Sequence, residues 1–212
     1  MQITPAILTS DLVLFSNLAK KLEFVETLDV DICRSPFVDN VTVQLDQVVD
    51  LIDFEHQSIG FHLMVDNPEQ DLMYLLNSIG NDQSVRVYLH QESNLNFLAE
   101  FEWPGRWSRC LAIKFESEFK NIEFYNNFDE IQLMSIETGK QGNSFKPSVI
   151  TRIEGLTKLG YFGKISIDGG INMNTIELIK DLPIDRISVG SYFQKSQNVR
   201  ESYRIMQEAL EK

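Results

Sequence analysis

The chain has 212 residues, 43% of them hydrophobic, and a formal net charge of -12. That length suits one well-buried domain, and it admits a complete (β/α)₈ barrel only without long insertions. The acidic balance argues against nucleic acid or an anionic membrane as partner, since both select a basic surface. The two cysteines, Cys33 and Cys110, fit neither a metal-ligand spacing nor a disulfide framework and point to a reducing compartment. Met1 leads into Gln2-Ile3-Thr4-Pro5 without the basic start, apolar stretch or cleavage site of a signal peptide, and the apolar runs are too short to span a bilayer. The expectation is a cytoplasmic protein.

Short apolar strands alternate with amphipathic segments along the whole chain. The first strand is expected over Ile3–Leu8 and the first helix over Leu12–Leu22, where Leu14, Leu18 and Leu22 recur at helical spacing after a Ser10-Asp11 cap. The pairs that follow are Thr27–Ile32 with Leu45–Ile52, Ser58–Met64 with Gln70–Ile79, and Ser84–Leu89 with Leu95–Phe101. Then come Cys110–Lys114 with Ile122–Phe128, Glu130–Met134 with Ser148–Leu159, Lys164–Ile167 with Thr175–Leu182, and Arg186–Val189 with Val199–Leu210. Eight strand–helix pairs are the count of a TIM barrel. An open doubly wound sheet usually has fewer strands and carries its main glycine loop after the first, whereas the first strand here ends in Leu8-Thr9-Ser10. The reading is therefore α/β, a single (β/α)₈ TIM barrel over residues 1–212, with no linker or low-complexity segment.

In such a barrel the chemistry sits at the C-terminal ends of the strands. The second strand leads through Asp29-Val30-Asp31, and alternation places both carboxylates on one face, where they repel unless a cation or a shared proton relieves them. Solvent-facing acids at a strand end are the plainer reading. The third strand carries His62 beside Met64; a lone His in an apolar setting is more often a satisfied core residue than a ligand. His56 precedes its strand, and His90 can equally be a surface residue at a strand end. The loop from Met134 to Phe145 is polar, glycine-spaced and long enough to fold over a ligand, or is an ordinary connection. Asp168 stands just before Gly169-Gly170, and Gly190-Ser191 follows the next strand. Glycines there let backbone N–H groups approach an anion, which matches the phosphate grip that barrels build after strands 7 and 8. Asp29, Asp31, His62 and Asp168 converge on one mouth, and their oxygen and imidazole donors suit a divalent cation such as Zn, Mn, Fe or Mg. Two carboxylates flanking that cation can remove and return a proton next to a carbonyl.

With these residues the chain resembles the ribulose-phosphate 3-epimerase family nearly end to end. The likeness runs through Pro5-Ala6-Ile7-Leu8-Thr9-Ser10-Asp11, Val30-Asp31-Ile32, Phe37-Val38-Asp39-Asn40, His62-Leu63-Met64-Val65 and Pro68. It continues in Met134-Ser135-Ile136-Glu137, Gly139, Gly142, Ser144-Phe145, Asp168-Gly169-Gly170 and Gly190-Ser191. The resemblance implies a metal-dependent barrel of the ribulose-phosphate-binding type that interconverts ribulose 5-phosphate and xylulose 5-phosphate at C3. It implies Asp31 and Asp168 as the acid/base pair and, with His62, as metal ligands. Gly139, Lys140, Gln141 and Gly142 would close over the phosphorylated sugar, and Gly169, Gly170, Gly190 and Ser191 would hold its phosphate. Met64 and Met134 would cushion the enediolate. A homo-oligomer is implied as well.

The chain departs from the family pattern in the site itself. Asp29 stands where the family has a fourth, histidine ligand, which would add a third carboxylate and favour a harder cation. Ala6 replaces a substrate-contacting Ser, Cys33-Arg34-Ser35-Pro36 replaces Met-Asp-Gly-His, and Thr138-Gly139-Lys140-Gln141-Gly142 replaces Pro-Gly-Phe-Gly-Gly. Arg34 and Lys140 bring positive charge that either neutralises the added carboxylate or grips a different anion. Two other readings follow: a non-catalytic phosphosugar-binding relative, and an epimerase of another ketose phosphate. A barrel decarboxylase or aldolase is disfavoured because no Lys lies between Asp29 and Asp31, although Lys114 ends the fifth strand.

Overall fold

The computed structural model describes residues 1–52, 57–79, 82–138 and 142–211. Eight parallel strands form a closed barrel: β1 (Gln2–Ile7), β2 (Thr27–Cys33), β3 (Ser58–Met64), β4 (Val85–His90), β5 (Trp107–Ile113), β6 (Glu130–Met134), β7 (Lys164–Asp168) and β8 (Arg186–Val189). Each strand pairs with its sequence neighbours, and closure comes from β1 against β8 in the register Ile3↔Ile187. The helices are α1 (Leu12–Lys21), α2 (Leu45–Val48), α3 (Glu69–Ser78), α4 (Ile122–Tyr125), α5 (Val149–Lys158), α6 (Met173–Ile179), α7 (Ser191–Gln194) and α8 (Val199–Leu210). Among the described residues no helix is long and apolar enough to cross a membrane.

The period-2 alternation of the strands sorts their side chains into two environments. One set, including Leu28, Val30, Ile32, Ile59, Phe61, Leu63, Val87 and Leu89, joins Phe15, Leu18, Leu72, Leu75, Val149, Ile153 and Ile176 from the helices in a single buried apolar core. That layer between barrel and helices supplies most of the hydrophobic stabilisation. The alternate set faces the barrel interior and is largely polar, with Thr4, Asp29, Asp31, His62, Arg86, His90, Glu130, Gln132, Ser166, Asp168, Arg186 and Ser188 all buried and a small apolar cluster of Tyr88, Cys110 and Ala112 among them.

Most element boundaries follow the sequence pattern. The fifth strand begins earlier than expected, at Trp107, which pairs with Val85, and Lys114 lies beyond its end. The seventh strand runs on to include Asp168. The segment Leu95–Phe101 holds only a 3-10 turn over Asn96–Ala99. Its Phe97, Leu98 and Phe101 are half-buried against the core, so the apolar spacing reflects packing of a loop and not a helix. Leu45–Ile52 likewise divides into α2 and a 3-10 turn over Val49–Leu51. Helix α7 is too short to leave a periodic signature.

Deep in the barrel, charges meet charges. Arg86 Nη2 donates to Asp29 Oδ1 at 3.0 Å, and Ser188 Oγ donates to Asp29 Oδ2 at 3.1 Å, joining β4, β2 and β8 across the interior. Arg86 Nη1 donates to Ser58 Oγ at 2.7 Å. On the other side Glu130 accepts from Tyr88 at 2.9 Å and lies 3.4 Å from Arg186. Gly60, opposite Asp29 in the β2–β3 register, leaves the room that the Asp29 carboxylate occupies; a Cβ there would overlap Oδ1. Burial pushes the Asp29 carboxyl pKa upward, against the opposing pull of Arg86 and Arg186. Removing one partner strands a buried charge, which costs about 3–5 kcal/mol, whereas removing both is far milder. Arg86→Met should therefore destabilise the chain by about that amount, and Asp29→Leu combined with Arg86→Met by clearly less, as read from urea-induced unfolding midpoints.

Candidate active site

At the C-terminal mouth of the barrel three side chains from separate strands share one point. Asp31 and His62 are register partners on β2 and β3, and Asp168 closes β7. His62 Nδ1 lies 3.1 Å from Asp31 Oδ1 and 3.3 Å from Asp168 Oδ2. The imidazole and Asp31 are buried, and the Asp168 side chain keeps 13% of its exposure, the opening through which the group meets the mouth. Burial alone would lower the His62 pKa, but hydrogen bonds and charge from Asp168 and Asp31 outweigh it and raise the value to about 10. Burial, with Asp168 repulsion added, lifts Asp31 to about 6 against the pull of His62.

One donor atom from each of Asp31, His62 and Asp168 lies within 4.8 Å of the others, close enough for a single cation to touch all three. Two carboxylates and one imidazole form a donor set suited to a divalent ion of the Mg, Mn, Fe or Zn type. The residues present therefore fit such an ion.

The turn that follows β7 is held by several local contacts. Gly169 (φ +113) and Gly170 (φ +69) adopt a backbone that side-chain-bearing residues avoid, and a Cβ on Gly170 would come within 2.9 Å of the Phe145 backbone. Ser135 locks the turn, donating its backbone N–H and its hydroxyl to the Asp168 carbonyl at 2.7 and 2.9 Å. Asn172 and Thr175 hold the Gly170 carbonyl at 3.0 and 3.1 Å and also cap α6. Asp31, Met64, Met134, Gly142, Asp168, Gly169, Gly170, Gly190 and Ser191 line one cavity, together with Ala6, Leu8, Ile136 and Ile171. His62 sits behind its Asp31–Asp168 wall.

Asp29 is a correction. The structure does not bring it into the Asp31–His62–Asp168 group; its two carboxylate oxygens are taken by Arg86 and Ser188. The strand alternation that put Asp29 and Asp31 on one face is right, but two residues along a strand is a full layer of the barrel, and Asp29 occupies the lower one. Its charge is neutralised by Arg86 and not by Arg34, whose guanidinium is held by Asp71 and Gln44. Lys114 lies over the Phe37 ring at 3.6 Å and donates to the Phe37 carbonyl. His56, Gly139, Lys140 and Gln141 lie outside the described residues. His90, left open between a weak ligand candidate and a surface residue, is fully buried. Its Nε2 lies 2.9 Å from His62 Nε2, and its Nδ1 lies 3.2 Å from Glu92 Oε2. The available signal was the alternation Arg86, Tyr88, His90, which places all three on the interior face.

Compared with known proteins, residues 2–194 match the model of the ribulose-phosphate 3 epimerase family. The ribulose-phosphate 3-epimerase of Mycoplasma pneumoniae is 34% identical over 170 residues, covering 75% of this chain and 73% of the relative. That of Mycobacterium tuberculosis H37Rv is 27% identical over 200 residues, covering 89% and 84%. Among solved structures, KGPDC from Streptococcus mutans in complex with D-R5P superposes with a TM-score of 0.71 at 10% identity, covering 99% of this chain and 96% of that one. The 3-hexulose-6-phosphate synthase of Salmonella typhimurium gives 0.69 at 14% identity, covering 99% and 98%. At those identities the two structures speak for the barrel fold alone.

A pKa of about 10 keeps a proton on both His62 nitrogens at neutral pH, so a cation at Nδ1 must displace one. Affinity for Mn²⁺ or Zn²⁺ should therefore rise by up to about tenfold per pH unit above pH 6.5, and more steeply below pH 6, where Asp31 also carries a proton. Calorimetric titrations in buffers of different ionisation enthalpy should show close to one proton released per ion at pH 7.5.

Proposed function

Because the chain belongs to the ribulose-phosphate 3-epimerase family, as an isomerase of that type, we propose that it interconverts ribulose 5-phosphate and xylulose 5-phosphate by proton transfer between Asp31 and Asp168. The observation that carries this reading is the placement of two carboxylates, from β2 and β7, on one imidazole nitrogen at 3.1 and 3.3 Å in a cavity edged by Gly169-Gly170 and Gly190-Ser191.

An epimerisation next to a carbonyl needs one base to take the C3 proton and one acid to deliver a proton to the opposite face. In the forward direction one aspartate accepts the proton as the C3–H bond breaks, and its electron pair moves toward the C2 carbonyl to leave a planar enediolate. The other aspartate, protonated at that moment, gives its proton to C3 from the far side, and the two exchange roles for the reverse reaction. Burial and the neighbouring Asp168 carboxylate raise the Asp31 pKa, which makes it a stronger proton acceptor than a solvent-exposed carboxylate. Asp31, His62 and Asp168 would hold a divalent cation, which supplies positive charge for the oxygens that become negative in the enediolate. Met64 and Met134 line the same cavity and offer polarizable thioethers to the flat intermediate without competing for protons. The glycine-bearing turns give the phosphate a grip of backbone N–H groups that needs no net positive protein.

Three experiments test the reading. Asp168→Asn and Asp31→Asn should each lower turnover of ribulose 5-phosphate by at least about 10²–10⁴-fold in a coupled assay, while the folded chain still takes up the phosphosugar. Wild-type protein that is folded, loaded in turn with each cation, and still inert toward this ketose phosphate would overturn it. Gly170→Ala, which places a Cβ at positive φ against the Phe145 backbone, should raise KM for the phosphorylated substrate and also lower the unfolding temperature.

A further inference from the structure

The His62 ring has two nitrogens, and only one of them faces the carboxylates. What the other meets decides which can act as a ligand, because a neutral imidazole has one N–H and one lone pair. His62 Nε2 meets His90 Nε2 at 2.9 Å, with the rings inclined by 16° and their centroids 5.0 Å apart. The centroid separation exceeds the nitrogen–nitrogen distance by about two ring radii, so the imidazoles lie edge to edge in nearly one plane, bonded through a single shared proton. On its far side His90 Nδ1 lies 3.2 Å from Glu92 Oε2, and Glu92 Oε1 accepts the Lys114 backbone N–H at 3.0 Å. Phe37 flanks the His90 ring at a centroid distance of 4.8 Å and Lys114 covers Phe37 from outside. His90 is 0% exposed.

Counting protons along this row leaves one arrangement. The Glu92 carboxylate can only accept, so His90 Nδ1 carries the proton that it receives. His90 Nε2 is then a lone pair, and the proton shared with His62 must belong to His62 Nε2. That leaves His62 Nδ1 as the nitrogen able to present a lone pair to the point shared with Asp31 and Asp168. We propose that His90 and Glu92 are positioning residues, a hydrogen-bonded relay that fixes His62 as the Nε2–H tautomer and aims its Nδ1 lone pair at the cation held by Asp31 and Asp168. The inference rests on the cation site described under the proposed function. The relay touches no substrate: it lies on the β4 side of His62, away from the cavity residues, and acts through that ring alone.

The test is made on the full chain, titrated with Zn²⁺ and Mn²⁺ against a competing chelator, for wild type, His90→Leu, His90→Gln and Glu92→Gln. Outer partners of metal-bound histidines typically set affinity within a 10–100-fold range. His90→Leu should weaken binding of both ions by that factor. His90→Gln, whose amide oxygen can still accept from His62 Nε2, should recover most of it. Glu92→Gln, which can donate as well as accept and so no longer fixes the direction of the row, should fall between. Saturating ion should restore kcat in each variant, a response that simple loss of packing would not give. Wild-type binding with affinity unchanged to within twofold in both His90→Leu and Glu92→Gln overturns the relay. Should wild type bind neither ion, the cation reading itself fails. The relay is then judged from the proton NMR spectrum, where a slowly exchanging, strongly downfield His62 Nε2–H present in wild type and lost in His90→Leu supports it, and its absence from wild type overturns it.

Discussion

Below its mouth a closed barrel gives a buried charge no route to water, so a charge there must be balanced there. The Asp29–Arg86 contact at 3.0 Å is where that constraint acts most directly. Glu130 and Arg186 repeat it across the interior, and each pair is nearly sealed from solvent. The lower interior thus comes out neutral: two carboxylates against two guanidiniums. With that layer balanced, the apolar faces of the same strands are free to build the single core shared with the helices.

The layer above is not balanced in the same way. Asp31 and Asp168 face one histidine, and even a fully protonated His62 leaves one negative charge over. The molecule's response is legible in the directions of titration, with His62 raised to about 10 and Asp31 raised to about 6, each shift reducing the excess negative charge. A divalent cation would complete the balance once the His62 Nδ1 proton leaves, and the mouth, unlike the lower barrel, has an opening through which it could arrive. The same imbalance is what a proton-transfer site needs, since a carboxyl group poised between its two states costs little to switch in either direction.

How much of this the sequence disclosed depends on the range over which each feature is decided. The barrel was legible because eight apolar strand patterns and their helical partners are local signals, and the closed order β1 to β8 follows once they are counted. Asp31, Asp168 and the two glycine turns were legible for the same reason, standing at strand ends where the mouth must be. Asp29 was misread as a ligand because its fate is set by Arg86, 57 residues further on, and by the space Gly60 leaves. His90 was left undecided because its burial depends on Phe37 from another loop, and Lys114 covers that ring from β5's far end. The short 3-10 turn at Asn96–Ala99 shows the converse: apolar spacing that satisfies a helix can equally serve a loop lying on the core.

Committing Asp29 to the lower layer has a consequence for the upper one. The cation position is left with Asp31, His62 and Asp168 as its protein donors among the described residues, and only one of them is an imidazole with a choice of tautomer. Carboxylates present lone pairs whichever way they turn, whereas a histidine presents one only when its other nitrogen holds the proton. The fewer the donors, the more the site depends on that one ring being correct. A relay that fixes its proton from β4 is therefore the counterpart of the ion pair that withdrew Asp29 from β2. Both come from alternate residues of the same strand, Arg86 and His90, so the register of β4 sets the charge balance below and the ligand geometry above.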